Sequence, residues 1–311
     1  MVGVTGSSPV RATTYSSFIF INYPFFIKVT CMKTFMLLLG AFLCINLLAK
    51  PSNKIPKISS KAYEIFEIHS PFYFENNSTR YKVFTAKTKR QTSELTVIYT
   101  LDGNAFFPTL LNLYADSFID KASNLLIVAI GYDSDLTFDT LKRTKDYTPK
   151  VTKEEFSKGG NADIFLEFVK TSIIPSIEKS YNVSSPKRAI FGHSFGALFA
   201  LNALLKSSDT FHYYFIASPS LWWGDGSFLP QNITLKSCPE IYITIGSLER
   251  QRGKTHTINA KNLADLIGLQ SGCWVKFKMF ENETHGSVIP KAMSLMIGEV
   301  LDQDAKKRHL E

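Results

Sequence analysis

Apolar residues along the chain come in two rhythms. Between Leu95 and Phe280 six short runs, LTVIYTL, NLLIVAIGY, RAIFGH, YYFIAS, EIYITIG and WVKFKMF, are six to nine residues long and largely hydrophobic. Strands covered on both faces have this pattern, whereas a strand with one wet face alternates. Between the runs, apolar positions recur at helical spacing over Phe106 to Ala122, Ala162 to Tyr181, Ser194 to Leu205, Ile258 to Leu269 and Val288 to Asp302. Strand and helix alternate, which predicts an α/β fold with a mostly parallel, doubly wound sheet. Upstream, Glu64 to His69 and Tyr81 to Lys87 alternate as an antiparallel strand pair, with the Asn-rich ENNST as their turn. The longest irregular stretch, Asp133 to Gly160, is charged and aromatic, and a loop of that length in a compact domain is usually functional.

The amino terminus follows another logic. From Met32 the chain reads MKTFMLLLGAFLCINLLAK: one lysine, an apolar stretch from Phe35 to Leu48, then Ala49 before a polar change. That is the layout of a secretory signal peptide and is short for a membrane span. Residues 1–31 carry no periodicity of their own and read as an extension ahead of the true start at Met32. The expected organisation is extension and signal over 1–49, linker over 50–60, one catalytic domain over 61–305 and a charged tail over 306–311. The expected location is periplasmic or secreted. Retention by an uncleaved amino-terminal hydrophobic segment is the alternative.

Composition narrows the function classes. The 311 residues are 45% hydrophobic and 20% charged, a packed globule rather than a disordered, collagenous or polytopic membrane chain. A net charge of +8 raises nucleic acid as a partner, but the cations are scattered and no recognition motif accompanies them. Of the four cysteines, Cys238 and Cys273 fall in the mature region, each just before a predicted strand. In an exported protein they form a disulfide if the two strands are neighbours, and two separate buried thiols otherwise.

The central chemical signal is Gly192-His193-Ser194-Phe195-Gly196, which ends an apolar run and opens a helical one. A serine on such a strand-turn-helix bend is a nucleophile elbow, and its partners follow in the order Ser, acid, His. Downstream histidines are His212, His256, His285 and His309. His212 enters a strand at the wrong end and His309 lies in the tail, so His285, directly after the last predicted strand, is favoured as base over His256. Glu249, after EIYITIG, is favoured as the orienting acid, with Asp225 in WWGDGS as the rival. Two backbone amides are needed for the oxyanion, Phe195 after the nucleophile and Asn104 in the turn Asp102-Gly103-Asn104. Histidine and cysteine show no zinc spacing and no phosphate loop is present, so neither metal nor organic cofactor is implied.

These residues, together with YTLDGNAFF, GYDSDLTFDTLKRTKDYTP, KGGNADIFLEFVKTSIIPSIEKSY, SPSLWWGDG and ETHGSVIP, resemble the α/β-hydrolase "putative esterase" family over about residues 60–303. Within that family the chain is most similar to the exported siderophore esterases that open catecholate trilactones. The resemblance implies Ser194 as nucleophile, His285 as base and the Asn104 amide as second oxyanion donor. Some such members resemble a Ser-His dyad, which leaves the weight of Glu249 open. By the same resemblance Arg143 and Asp146 border the site, with Arg143 meeting an anionic substrate or else pairing with Asp146. Trp222 and Trp223 form an aromatic wall or else pack in the core. The implied function is hydrolysis of a small-molecule ester through an acyl-enzyme, with no nucleic-acid partner, no stable membrane contact after signal cleavage and an undetermined oligomeric state. Acyl transfer on the same triad and a non-catalytic binding module are the alternatives.

Overall fold

A computed structural model describes residues 54–89, 95–120, 124–249 and 258–308. The signal-like segment, His256 and His309 lie outside the described residues. One mixed sheet of nine strands organises the rest, in the order β1-β3-β5-β4-β6-β7-β8-β9, with β2 also paired to β3. The first strands, β1 (Phe66–Ile68), β2 (Phe72–Asn76) and β3 (Thr79–Thr88), are antiparallel, as is the join of β3 to β5 (Leu125–Tyr132). From β5 onward β4 (Thr96–Thr100), β6 (Lys187–His193), β7 (Tyr213–Ala217), β8 (Glu240–Gly246) and β9 (Val275–Phe280) run parallel.

The apolar runs are the strands because both faces of the sheet are roofed. Val97 and Tyr99 of β4 belong to one core and Ile98 between them to the other. On the Ile98 side lie α1 (Ser60–Ile65), α2 (Gly103–Ser117) and α8 (Val288–Arg308). On the opposite side lie α4 (Ala162–Phe168), α5 (Ile174–Ser180), α6 (Phe195–Ser207) and α7 (Ala260–Ser271). Burying a Leu, Ile or Phe side chain stabilises by about 1.5–3 kcal/mol. Both layers are therefore strongly held, and the carboxyl ends of the parallel strands converge on one edge.

Three elements depart from the sequence expectation. The strand expected over Glu64 to His69 forms only over β1, where it pairs antiparallel with β3; Glu64 and Ile65 instead end α1, whose first turn is capped by Ser59 accepting from the Ala62 amide, and ENNST joins β2 to β3 rather than β1 to β3. The helix expected over Ala162 to Tyr181 is broken by a π turn at Val169–Ile173. Pro175 lies one residue into α5, where it lacks an N–H and crowds the carbonyl four residues back, so the wider turn relieves it. The stretch Asp133 to Gly160 holds α3 (Thr140–Tyr147), capped by Asp139, and a 3-10 turn at Glu154–Phe156. Its helical period escapes notice because α3 buries only its last residues, Asp146 and Tyr147.

β8 and β9 are parallel neighbours and their entries lie side by side, so Cys238 and Cys273 close a disulfide with Cα atoms 5.1 Å apart. The bridge spans 35 residues, and loop closure of that size stabilises by roughly 3–4 kcal/mol. Replacing both cysteines with serine should lower unfolding free energy by about that amount. Urea titration of the oxidised protein against the double variant measures it, and an equal midpoint for the two would refute it.

Candidate active site

Every parallel strand delivers one piece of the site from its carboxyl end. β6 ends in His193 and turns through Ser194 directly into α6. Ser194 has φ 60° and ψ −115°, a strained conformation for a residue with a side chain. The bend is possible because a Cβ on Gly192 would stand 2.1 Å from the Gly196 carbonyl oxygen, so only glycine lets strand and helix approach this closely. The Ser194 hydroxyl is 3.0 Å from the hydroxyl of Ser220, which follows β7.

The turn after β4 is the second piece. Asp102 is left-handed at φ 52° and opens α2, whose first-turn amides, Gly103 and Asn104, have no acceptor within the helix. The Asn104 side chain is buried and fully engaged: its amide donates to the Tyr132 and Ser134 carbonyls and its oxygen accepts from the Tyr132 amide. These bonds pin the turn to the end of β5 and leave the backbone N–H as the group Asn104 can offer. Phe195 is likewise a first-turn residue, the first of α6.

β8 and β9 bring the third piece. His285, in the turn between β9 and α8, is bonded through Nδ1 to Glu249 Oε2 at 2.8 Å. The other Glu249 oxygen accepts from the Ser218 hydroxyl at 2.5 Å and the Gly246 amide at 2.7 Å. Burial by itself would raise the Glu249 carboxyl, but the bonds from His285, Ser218 and Gly246 outweigh it and hold it below the ordinary value. Ser218, with φ 49°, is itself a strained residue held in place by its amide bond to Thr244 O. Asp225, the rival acid, has its carboxylate on Lys153 instead, so the structure removes it as the partner of His285.

Arg143 has a protein partner that neither alternative raised for it had named. Its guanidinium grips Asp102 in a two-pronged pair, Nε to Oδ1 and Nη2 to Oδ2 at 2.8 Å each, and reaches the His193 carbonyl at 3.5 Å. It also lies over the Phe195 ring, 5.4 Å from the centroid. Asp146 does not pair with it, because the Tyr81 and Tyr132 hydroxyls bond to that carboxylate at 2.8 and 3.2 Å. The two tryptophans part company. Trp223 is buried in the core and donates to the Pro149 carbonyl, while Trp222 is half-buried with its ring 5.6 Å from that of Phe195.

Sequence reasoning overlooked Asp102 as the partner of Arg143, and Ser218, Ser220 and His193 as members of the site. The available signal was position: all four lie at, or within three residues after, the carboxyl end of a strand. Among the described residues no cluster of His, Cys, Asp or Glu could hold a metal, and no helix is long and apolar enough to cross a membrane.

A family model described as "Putative esterase" matches residues 78–271. The ferri-bacillibactin esterase BesA of Bacillus subtilis is 29% identical over 253 residues, 74% of this chain and 87% of that protein. The siderophore triacetylfusarinine C esterase of Aspergillus fumigatus is 30% identical over 236 residues, 64% of this chain and 79% of its own length. Among solved structures, the enterobactin and salmochelin hydrolase IroE superposes with a TM-score of 0.58 at 27% identity, covering 76% of this chain and 95% of that one.

Removing one member of a buried, paired ion couple leaves the other charge unpaired, at about 3–5 kcal/mol. The Asp102 side chain is 1% exposed and that of Arg143 11%. Arg143→Met should therefore lower stability by about that amount in chemical denaturation. A loss below about 1 kcal/mol would mean the pair is solvated in solution. Glu249 gives a pH prediction. Because its native value is depressed, its charge stabilises the fold above the unfolded carboxylate value of about 4.3, and that contribution fades as pH falls through the lower native value. The acid-unfolding curve of Glu249→Gln should lack this component.

Proposed function

The chain belongs to the "putative esterase" family of α/β-hydrolases and is an ester hydrolase, and from that premise we propose that it opens siderophore esters outside the cytoplasm with Ser194 as nucleophile and His285 as base. One observation carries the assignment of residues: a serine on a strained elbow at the centre of the parallel sheet, facing the same edge as a histidine already oriented by a buried carboxylate.

In this mechanism Ser194 Oγ attacks the ester carbonyl and its proton passes to His285 Nε2. Glu249 on Nδ1 holds the ring in the tautomer that leaves Nε2 free to accept, and stabilises the imidazolium that results. The negative oxygen of the tetrahedral intermediate is met by the Phe195 and Asn104 amides, preset at two helix N-termini. Collapse expels the alcohol, which takes the proton from His285. A water then attacks the acyl-serine by the same route in reverse and releases the acid. The Ser194 hydroxyl is bonded to Ser220, so attack requires it to leave that bond and turn toward His285.

The substrate class draws support from the relatives and from the rim. Leu136 and Leu141 after β5, and Leu248 after β8, expose apolar side chains at the active edge, and Trp222 is half-buried beside Phe195. Such a rim suits a large ester with aromatic arms. Export is supported by the signal-like run from Met32 and by the Cys238–Cys273 bridge, because disulfides persist in oxidising compartments.

Purified protein from Lys50 onward should hydrolyse a catecholate trilactone, and Ser194→Ala should lose at least about 10⁴-fold in kcat. Glu249→Gln should lose between about 10² and 10⁴-fold, with KM little changed. Release of the linear product, followed by chromatography, reads all three. Full activity in Ser194→Ala would sink the mechanism, and cleavage of simple p-nitrophenyl esters alone would sink the substrate class.

A further inference from the structure

His193, the residue immediately before the nucleophile, has no part in the chemistry described above, yet its side chain spans the gap between elbow and base. It is the last residue of β6 and is 5% exposed. Its Nε2 stands 2.7 Å from the backbone carbonyl oxygen of His285, and the two imidazole rings are 4.6 Å apart. A carbonyl oxygen only accepts, so Nε2 carries the hydrogen and the His193 tautomer is set.

His285 needs such a hold. It sits on a turn whose residues 281–287 are all exposed or partly exposed, and its own side chain is 46% exposed. Besides the Glu249 pair, two bonds tie this turn to the segment after β8, Leu248 N to Glu283 O at 2.9 Å and Asn282 N to the Ser247 hydroxyl at 2.9 Å. Both reach β8's loop and neither reaches the elbow. The His193 bond runs directly from the residue next to Ser194 to the base itself.

We infer that His193 is a positioning residue, which sets the distance and angle between Ser194 and His285 by donating from Nε2 to the His285 carbonyl. The inference rests on the reading of Ser194 and His285 as nucleophile and base. Charge at this place would defeat the arrangement, since an imidazolium at His193 would repel the one that forms on His285 in each turnover. The surroundings prevent it. From α3 the Arg143 guanidinium meets the His193 carbonyl, Asp102 from the α2 turn is already paired with that guanidinium, and Phe106 from α2 sets its ring 6.5 Å from the imidazole. From the β9 turn comes His285, whose nearest carboxylate, Glu249, is held on its far nitrogen. Burial, His285 and Arg143 together keep His193 well below the ordinary histidine value.

The test compares His193→Gln, whose side-chain amide can still donate, with His193→Leu, which fills similar space and cannot. Steady-state kinetics on a soluble p-nitrophenyl ester give kcat and KM across pH 5–9, and thermal unfolding checks that each variant is folded. A misplacement of about 1 Å costs on the order of 10²-fold. His193→Leu should lose about 10 to 100-fold in kcat with KM within about twofold, and His193→Gln should recover most of that loss. Because Gln cannot titrate, its acid limb should match that of the wild type. Wild-type kcat in His193→Leu, or equal loss in both folded variants, would overturn the inference. If neither variant folds, His193→Asn, shorter but still a donor, measured against His193→Ala, repeats the comparison, and equal kcat in that pair is likewise fatal. Failure of the underlying reading looks different, as ester hydrolysis that survives Ser194→Ala.

Discussion

The two-pronged pair between Asp102 and Arg143 joins three parts of the chain that share no secondary structure. Asp102 closes β4 and opens α2, Arg143 comes from α3, and the guanidinium extends to the carbonyl of His193 at the foot of the elbow. Arg is suited to this because its planar fork satisfies both carboxylate oxygens and leaves a face for an aromatic ring, here Phe195. Both proposed oxyanion amides, Asn104 and Phe195, lie within two residues of an atom that Arg143 contacts. Their separation is thereby set by a rigid, buried ion pair rather than by loop conformation.

α3 can serve as that strut because it is clamped at its other end. Asp146 takes hydroxyl bonds from Tyr81 of β3 and Tyr132 of β5, and the Tyr147 hydroxyl accepts from the Asp102 amide at 3.3 Å. Burial pushes the Asp146 carboxyl up, partly offset by those hydroxyls. Burial likewise raises the three tyrosines above the ordinary phenol value, which keeps them neutral. A helix with little apolar surface of its own is in this way held by polar bonds inside an aromatic core, a specific arrangement that tolerates few alternatives.

The acid-base half of the site is built on the opposite principle. His285 is on an exposed turn, and its geometry comes from hydrogen bonds to two strand ends: Glu249 and the Ser247–Leu248 turn after β8, and His193 at the end of β6. The proposed nucleophile and oxyanion donors are embedded in the sheet and its helices, while the proposed base is tethered from outside. A solvent-facing base suits a hydrolase that must admit a bulky ester and then a water to the same carbonyl.

The hydrophobic rhythm of the chain was enough to specify the parallel sheet, its two helical layers and the elbow, because burial on two faces and the strand-turn-helix bend leave local marks in Gly192, Ser194 and Gly196. It also singled out Glu249 and His285, since residues after strands in such a fold gather at one edge, and the structure brings those two within a hydrogen bond. What had no local mark was settled by distant segments meeting. Arg143 could equally have served Asp146 or a ligand until α3 was placed against Asp102, 41 residues away in sequence, and Asp225 stayed a rival until its carboxylate was seen on Lys153. The tether from His193 to His285 joins residues 92 positions apart through a backbone carbonyl, a group that every residue possesses. Side-chain identity cannot announce such a partner, and only the tertiary fold chooses which carbonyl the imidazole will meet.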